Sequence, residues 1–570
     1  ALICVPCKIY CDVLNKRISS WLEDNGKLAD EQNGYRKKRG CVDHLYSLHA
    51  IIESRIKLKQ STFVSFVDMR KAFDNLNYDC MWYKLSKIGI NGMMLSAVKS
   101  LYHNVSYAVK VNSRITSWFQ VSKGAKQGCN LSPTLFQIYI NDLVEDLNEM
   151  NCGISINGQN VGILLFADDI ALISNCEENL QRMLDHLNSW CNKWRLSINS
   201  SKTKVIHFRF KGKNQSKFQF RCGDNIIEYV DRYKYLGLWL HENLNYNISV
   251  EYISKSASRA LGSLLAKYYQ CGGMSYSVFT KLYNSLVLPV LTYGSAIWGI
   301  NKFSKLNAVQ LRATKAFLGL HKTSPNNAAT GDLGWPSCYA HQLGEVYRFQ
   351  IRLSNMDNHR ITKVIYNHFR KRKGCHSFSS TQIFKKYDID TNFIHFRSPE
   401  AIKSQIKIVQ SKVQEYEQKI WLESLWNDSR CPNGNKLRLY RLYKERLEAE
   451  NYVIVNMPRY QRQILARFRS GTLPLFVETG RYQNIALEDR ICKFCDQNKV
   501  EDECHALLEC DLYKDLRHDL LKLMVENDDN FNEHSILVKL CLIMTLDSAQ
   551  TVLAKYIHSM FKRRKLYDIF

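Results

Sequence analysis

The sequence Phe166-Ala167-Asp168-Asp169 separates two short apolar runs, residues 161–165 (VGILL) and residues 170–174 (IALIS). Two β-prone runs around a tight polar break are typical of a β-hairpin, so a hairpin is predicted here. The break would lift two adjacent carboxylates to the tip of a buried sheet, where like charges raise each other's pKa. A divalent cation relieves that repulsion, and Mg²⁺ prefers carboxylates together with phosphate oxygens. The alternative is a plain polar turn, as predicted for Asp528-Asp529 in the polar run 526–530.

Further candidate ligands come earlier in the chain. Residues 62–67 (TFVSFV) have the composition of a strand and run directly into Asp68, and Asp74 follows after a short segment. An acid at the end of an apolar strand is well placed to bind metal, whereas Asp74 could instead cap the next helix. Three carboxylates, from Asp68 and the Asp168-Asp169 pair, can hold two Mg²⁺ ions about 4 Å apart.

The composition of the chain indicates a polyanionic partner. The 570 residues carry 79 Lys and Arg against 54 Asp and Glu, which gives a net charge of +25. An excess of this size is typical of proteins that bind nucleic acid, and an aromatic content of 12% would allow stacking on bases. A basic protein without such a partner remains the alternative.

The cysteines and the apolar runs bear on the compartment. Most of the 19 cysteines are scattered singly through apolar segments, which suits reduced thiols in a nuclear and cytoplasmic, intracellular protein. No signal peptide is visible, and no apolar run approaches the roughly 18 residues of a membrane span, so no membrane partner is expected. At 570 residues the chain should hold several domains. It opens on Ala1 without Met, and we expect it to be a piece of a longer protein.

The remaining pattern predicts a mixed α/β fold. Apolar residues recur at helical spacing near residues 45–52, 135–143, 180–194 and 248–320, and further strands are predicted at residues 203–210 and 233–239. Residues 370–395 are basic and weakly periodic and are predicted to form a linker or loop, whereas residues 400–450 are predicted to form long charged helices. The Gly-bounded basic loop at residues 31–40 is interpreted as a phosphate clamp, with a nuclear-import signal as the alternative.

Several of these segments together resemble a known family. Residues 63–74 (FVSFVDMRKAFD), 124–136 (GAKQGCNLSPTLF) and 166–169 (FADD) resemble, in order and spacing, the motifs of reverse transcriptases. The whole set is similar to the polymerase of non-LTR (LINE-type) retrotransposons. Three further segments resemble that family's fingers motif, palm lysine motif and primer grip, and these are residues 31–43, 199–204 and 235–237. The resemblance extends from about residue 28 to 240, continues through the thumb segment 288–298 and returns near the C-terminus.

The resemblance implies a right-hand polymerase of the α/β (α+β) class. It implies fingers and palm with an antiparallel sheet plus helices at residues 1–240, a helical thumb at 241–335, a helical connector at 336–470 and a mostly helical zinc-binding region at 471–570. The activity implied is RNA-directed DNA polymerisation, in the setting of target-primed reverse transcription. Its partners would be an RNA template, a DNA primer or target DNA, and deoxynucleoside triphosphates.

The resemblance also implies roles for single residues. Asp68 and Asp168 would bind both Mg²⁺ ions and Asp169 would complete the site, while Phe73 would lie under the sugar and exclude a 2′-hydroxyl. The other implied roles are nucleotide binding or proton donation by Arg36, Arg39, Gln127, Gly128 and Lys202, and primer gripping by Tyr235, Leu236 and Gly237. Asn130 departs from the family, because many relatives have proline there, but this leaves the metal ligands untouched.

A second metal site is predicted near the C-terminus. Cys492, Cys495, His505 and Cys510 form the pattern C-x2-C-x9-H-x4-C, whose ligand types suit one structural Zn²⁺ ion. Cys504 beside His505 is a rival ligand. The resemblance extends to this CCHC element, whose role would be to grip nucleic acid or, alternatively, to staple a small lobe.

Two rival functions remain open from the sequence. One is a catalytically inactive, retroelement-derived nucleic-acid-binding protein, and the other is a cellular RNA-templated polymerase. Relatives with a restriction-like nuclease carry a Pro-Asp motif after the zinc, whereas the last proline here is Pro474. A nicking domain, if the protein has one, is therefore expected before Ala1.

Overall fold

The computed structural model describes residues 3–112, 114–430 and 434–567. Its N-terminal half mixes helices with short strands. The helices are α1 (Val5–Asp24), α2 (Cys41–Lys57), α3 (Tyr78–Ile88), α4 (Gly92–Tyr102), α5 (Ser132–Glu149) and α6 (Glu177–Lys193). The strands are β1 (Thr62–Val67), β2 (Ser106–Tyr107), β3 (Lys110–Val111), β4 (Arg114–Ile115), β5 (Phe119–Gln120), β6 (Ile154–Ile156), β7 (Gln159–Val161), β8 (Ile163–Phe166), β9 (Asp169–Ser174), β10 (Lys204–Phe208), β11 (Arg221–Cys222), β12 (Asn225–Ile226), β13 (Glu228–Tyr229), β14 (Arg232–Tyr235) and β15 (Leu238–His241).

A five-stranded sheet in the order β13-β10-β1-β9-β8 forms the centre of this half. All pairs are antiparallel except β10 with β13. All six residues of β1 are buried, because both faces of the sheet are covered. Phe63 and Val67 pack with α5 and α6, whereas Val64 and Phe66 pack with α2 and with β14 and β15 on the other face. This two-sided burial explains the continuous apolar run at residues 62–67.

The second half is helical. Its helices are α7 (Asn247–Gln270), α8 (Tyr276–Leu286), α9 (Leu288–Leu291), α10 (Ser295–Trp298), α11 (Ser304–Leu318), α12 (Asn326–Leu333), α13 (Cys338–Ser354), α14 (Ile361–Phe369), α15 (His376–Lys386), α16 (Pro399–Trp426), α17 (Tyr440–Tyr443), α18 (Asn451–Ile454), α19 (Arg459–Arg469), α20 (Phe476–Thr479), α21 (His518–Asn527), α22 (Ile536–Thr545) and α23 (Ala549–Tyr567). One buried apolar cluster runs from α2 through α7 to α23.

Two sequence-based expectations for this half are corrected. Residues 370–395, predicted as a linker or loop, contain α15, whose Phe384 is fully buried against α13. The long charged helix predicted for residues 400–450 ends at Trp426, and the described residues after it form turns and the short helix α17. Among the described residues no single helix is long and apolar enough to cross a membrane, and α22 with α23 reaches that length only as a pair bent by 114°.

Candidate active site and metal centre

Strand register brings the three predicted catalytic aspartates to one edge of the central sheet. Val67 at the end of β1 pairs with Ile170 in β9, so Asp68 and Asp169 stand next to each other across the two strands. Phe166 pairs with Asp169, which leaves Ala167 and Asp168 as the two-residue turn of the predicted hairpin. Asp169 is exposed and the other two aspartates are half-buried, so the cluster is open to solvent.

The electrostatics of this edge favour a bound cation. Partial burial, followed by the charges of Asp168 and Asp68, raises the pKa of Asp169 to about 6. Burial and the nearby Asp68 also raise the pKa of Asp168. Three repelling, solvent-accessible carboxylates are a donor set of hard oxygens, which fits Mg²⁺.

Gln32 is a buried residue of this site that sequence reasoning missed. Its Oε1 accepts hydrogen bonds from the backbone N–H groups of Ala167 at 3.0 Å and Gly34 at 2.9 Å, and its Nε2 donates to the Ala167 carbonyl at 3.4 Å. Ala167 needs this support because its φ of 58° lies in the left-handed region, which costs an L-residue about 1–2 kcal/mol. Gln32 therefore holds the turn that carries Asp168.

The loop around Gln32 is fastened to the hairpin along its length. Asn33 N–H donates to the Leu165 carbonyl and Leu165 N–H donates to the Glu31 carbonyl, both at 2.9 Å, so the loop extends the sheet beside β8. A Cβ on Gly34 would lie 2.3 Å from the Ala167 nitrogen, so this close approach requires glycine. The sequence signal was the polar Glu31-Gln32-Asn33 segment, whose burial depends on contacts with residues more than a hundred positions away.

Asn199 supports Asp68 in a similar way. Its Nδ2 donates to Asp68 Oδ2 at 2.9 Å, and its backbone N–H donates to the Asp68 carbonyl at 2.8 Å. Thr203 adds a third bond, because its Oγ1 accepts from the Asp68 N–H at 3.2 Å. Lys202, predicted as a proton donor, is exposed in this same turn. The sequence pointed to the lysine of this segment and gave no role to its asparagine.

The Phe73 and Gln127 segments are joined by hydrogen bonds. Ala125 N–H donates to the Phe73 carbonyl at 2.7 Å, and Gln127 Nε2 donates to Asp74 Oδ1 at 3.1 Å. The half-buried Phe73 ring stacks on Phe136 of α5, with centroids 4.5 Å apart. Gly128 has a φ of 84°, in the region that favours glycine.

Asp74 does not cap the next helix, which was the alternative for this residue. The N-cap of α3 is Asn77, whose Oδ1 accepts from the Cys80 N–H at 3.1 Å. Asp74 lies instead in the turn before it and is exposed.

Arg36 and Arg39, predicted to grip the triphosphate, have partners inside the protein. Two nitrogens of Arg36 bond the two Glu23 carboxylate oxygens at 2.7 Å each, and a third donates to the Ala29 carbonyl at 2.6 Å. Arg39 pairs with Asp30 at 2.6 Å and is 7% exposed, and burial lowers its pKa to about 10. Both guanidinium groups brace the loop that holds Gln32, and nucleotide binding would require them to leave these partners.

The predicted primer grip is the turn of the β14–β15 hairpin. Leu236 has a φ of 44° and Gly237 a φ of 83°, and the Tyr293 hydroxyl donates to the Leu236 carbonyl at 2.6 Å. Tyr235 is buried against Phe66 of β1, with ring centroids 5.2 Å apart, whereas Gly237 is exposed. The hairpin therefore lies beside the strand that ends at Asp68.

The predicted C-terminal ligands also come together. The potential ligand atoms of Cys492, Cys495, His505 and Cys510 all lie within 4.8 Å of one another. The Cys492 and Cys510 sulfurs are 4.0 Å apart, and Cys495 Sγ is 3.4 Å from His505 Nε2. A tetrahedral ion with metal–sulfur bonds of about 2.3 Å has sulfur–sulfur edges of about 3.8 Å, so the cluster fits such an ion.

Two further side chains, those of Glu509 and Cys504, lie near this cluster. Glu509 Oε2 lies 3.5 Å from His505 Nδ1, where a carboxylate can orient a ligating imidazole. Cys504, the rival ligand, is buried outside the set.

Comparison with known proteins agrees with this geometry. Residues 2–240 match the family described as reverse transcriptase (RNA-dependent DNA polymerase). This matched segment is the part of the chain whose sheet presents three aspartates at one edge. The chain is also similar to curated proteins of mobile elements. These relatives include non-LTR retrotransposon polymerases, in agreement with the resemblance predicted from the motifs.

Three relatives illustrate the similarity. The probable RNA-directed DNA polymerase from transposon BS of Drosophila melanogaster is 24% identical over 315 residues, 54% of this chain and 34% of that protein. The polymerase from mobile element jockey of the same fly is 23% identical over 290 residues, 50% of this chain and 31% of that protein. The Pol polyprotein from type-1 retrotransposable element R2 of Nasonia vitripennis is 25% identical over 230 residues, 39% of this chain and 22% of that protein.

The chain spans about a third or less of the length of these relatives. Among solved structures, apo telomerase from Candida tropicalis is 12% identical and covers 70% of this chain and 60% of its own. Its TM-score of 0.33 is too low to bear on function.

Proposed function

We propose that this chain is an RNA-directed DNA polymerase that adds deoxynucleotides to a primer 3′-hydroxyl, with two Mg²⁺ ions bound by Asp68, Asp168 and Asp169. The observation that carries the proposal is the register of β1, β8 and β9, which sets three repelling carboxylates at one open edge of a sheet. The match of residues 2–240 to the reverse transcriptase family supports it independently.

The residues around this edge would have distinct tasks. The ions, when bound, would lower the pKa of the primer hydroxyl and neutralise charge on the triphosphate. Asn199 orients Asp68 and Gln32 holds the turn of Asp168, so the carboxylates are fixed before substrate arrives. Phe73, backed by Phe136, would lie under the sugar and exclude a 2′-hydroxyl.

The remaining assignments follow from position. Gln127 and Gly128 would border the nucleotide and template, the exposed Lys202 would donate a proton to pyrophosphate, and the Leu236-Gly237 turn would hold the primer end. Arg36 and Arg39 would contribute by bracing the loop beneath Asp168.

The wider setting is also part of the proposal. The net charge of +25 suits a complex of template RNA and DNA primer, and the LINE-type relatives favour target-primed synthesis on a retrotransposon RNA in the nucleus and cytoplasm. The Cys492 cluster would hold one structural Zn²⁺, because three thiols and one imidazole at tetrahedral spacing are zinc ligands. Residues 1–240, 241–335, 336–470 and 471–570 would act as fingers and palm, thumb, connector and zinc region.

Primer extension on an RNA template tests the proposal. The wild type should extend the primer only with a divalent cation, and Asp168→Asn should lower the rate at least about a hundredfold, because removing one preorganised electrostatic group has effects of that size. Asp529→Asn, at the other Asp-Asp pair, is exposed and provides the matched control.

A catalytically inactive nucleic-acid-binding protein is the competing outcome. That function would be favoured if the wild type bound the hybrid without extending it. Extension by Asp168→Asn at the wild-type rate would instead remove these carboxylates from the chemistry.

A further inference from the structure

A large groove lies away from the catalytic edge, between the C-terminal end of α13, the start of α14 and the start of α16. Its volume is about 1080 Å³, and Lys38 from the fingers loop closes one side. Its basic lining residues are Lys38, Arg348, Arg352, Arg360, Arg397 and Lys403, against a single lining acid, Asp357. The groove therefore concentrates positive charge, and the three aspartates of the candidate active site are not among its lining residues.

Part of this positive charge is neutralised within the protein. Arg352 pairs with Asp43 at 2.7 Å, and Arg360 pairs with Asp30 at 3.2 Å. These two guanidinium groups are structural.

The other positively charged side chains of the groove remain available to a ligand. Lys38, Arg397 and Lys403 are exposed and have no carboxylate within 4.0 Å among the residues that the structure describes. Arg348 pairs with Glu345 at 3.2 Å, yet 53% of its side chain stays exposed. The rim thus offers three exposed cationic groups without a carboxylate partner among the described residues, together with the partly exposed Arg348, to an anionic ligand.

The floor of the groove is apolar. Ile351, Phe396, Ile402 and Ile406 line it, and Ile394 at its edge is 53% exposed. A basic rim over an aromatic and aliphatic floor matches single-stranded nucleic acid, whose phosphates meet the cations while its unstacked bases cover the apolar surface. A double helix would present phosphates but keep its bases away from this floor.

The groove is joined to the loop that supports the catalytic turn. Arg360 Nη2 lies 3.4 Å from Asn33 Oδ1, and Asn33 follows Gln32, which holds Ala167. The groove and the catalytic turn are therefore linked through consecutive residues of one loop.

We propose that this groove binds a single-stranded segment of RNA, at a site distinct from the hybrid in the catalytic cleft. The inference rests on the proposed polymerase function for the identity of the strand, because the same phosphate and base chemistry is offered by single-stranded DNA. Arg397 and Lys403 are the phosphate contacts, and Phe396 is the stacking surface.

Binding of a short single-stranded RNA, followed by fluorescence anisotropy between about 50 and 200 mM salt, tests this proposal. Each lost phosphate contact removes about 0.7 from the slope of log affinity against log salt, so Arg397→Gln/Lys403→Gln should flatten the slope by about 1.4. The wild type should then lose about sevenfold more affinity than the variant over this fourfold salt range.

The double variant Lys385→Gln/Lys419→Gln is the matched control, because it removes two exposed cations from α15 and α16 outside the groove. It should keep the wild-type slope. The matching DNA strand should show the same difference between the two double variants, because it offers the same phosphates and bases. Equal slopes for the two double variants would overturn the proposal.

Extension of a short DNA primer by one nucleotide, on an RNA template that overhangs the primer by one nucleotide, separates this proposal from the polymerase function. Both double variants should extend it at the wild-type rate, because the overhang is too short to reach the groove. Failure of every protein in this assay would count against the polymerase function alone, while the binding slopes would still decide the groove. Loss of extension only in Arg397→Gln/Lys403→Gln would overturn the separate site.

Discussion

Replacing Gln32 with alanine should weaken the turn that carries Asp168, although all three carboxylates of the cluster remain in the protein. The substitution removes the acceptor of two buried backbone N–H groups, those of Ala167 and Gly34. Each orphaned buried donor costs about 1–3 kcal/mol, so the native turn should lose about 2–6 kcal/mol. Part of that cost can be relieved if Ala167 leaves the left-handed region, which returns about 1–2 kcal/mol and moves the adjacent Asp168.

The expected kinetic result is a selective loss of turnover. A displacement of about 1 Å in a positioned catalytic group can cost about a hundredfold in rate, so kcat for nucleotide addition should fall by about 10- to 100-fold. The Mg²⁺ concentration for half-maximal rate should rise, because the three carboxylates are no longer held in the arrangement that binds the ions. KM for the hybrid should change little, since Gln32 is buried beneath the turn.

Gln350→Ala is the matched control for this experiment. Gln350 is as buried as Gln32, at 1% exposure, but bonds Ser377 and Ser380 on α15. It should lower the free energy of unfolding while leaving the Mg²⁺ requirement unchanged. If Gln32→Ala lost stability yet kept the wild-type kcat and Mg²⁺ requirement, the turn would not depend on this amide and the reasoning would be wrong.

Three further predictions concern other parts of the chain. Asn199→Ala removes a hydrogen bond to the Asp68 carboxylate worth about 1.5–3 kcal/mol, so kcat should fall about tenfold or more at saturating hybrid, and an unchanged kcat in single-turnover assays would contradict this role. Burial lowers the pKa of His376 to about 3, so the folded protein keeps this imidazole neutral while the unfolded chain takes up a proton below about pH 6.5, and stability falls with the pH from there. His376→Phe should therefore abolish about 2 kcal/mol of the stability loss between about pH 6.5 and 5 in urea unfolding. Cys495→Ser should release zinc, measured as metal per chain, and should expose residues 492–510 to hydrogen exchange while sparing the central sheet. Cys504→Ser should keep the metal, and equal metal loss in both variants would refute the ligand set.

The sequence predicted the parts of the site that depend on local pattern. An apolar run that ends in an acid identified β1 and Asp68, and two runs around a polar break identified the hairpin of Asp168 and Asp169. The cluster of Cys492, Cys495, His505 and Cys510 was predicted for the same reason, because the spacing of these residues is itself the signal. In each case the apolar run or the ligand spacing that indicates a site residue lies next to that residue in the sequence.

The parts that were missed depend on contacts across the fold. Gln32 and Asn199 are ordinary loop residues in the sequence, and their roles come from partners more than a hundred positions away. The ion pairs of Arg36 with Glu23 and of Arg39 with Asp30 also could not be read from the sequence, and the predicted contact of these arginines with nucleotide stays a prediction. Helix α15 lacks a clear period, because much of its burial comes from packing on α13 and on the far end of α2.

The alternation of side chains along β1 makes this strand a boundary between two interiors. Phe63 and Val67 belong to the interior shared with α5 and α6, whereas Val64 and Phe66 belong to the one that continues through α7 to α23. Neighbouring residues on this one strand therefore pack in different apolar clusters. Phe66, two residues before Asp68, is thus packed in the same continuous apolar cluster as α23, whereas Phe63 is packed among the helices behind the sheet.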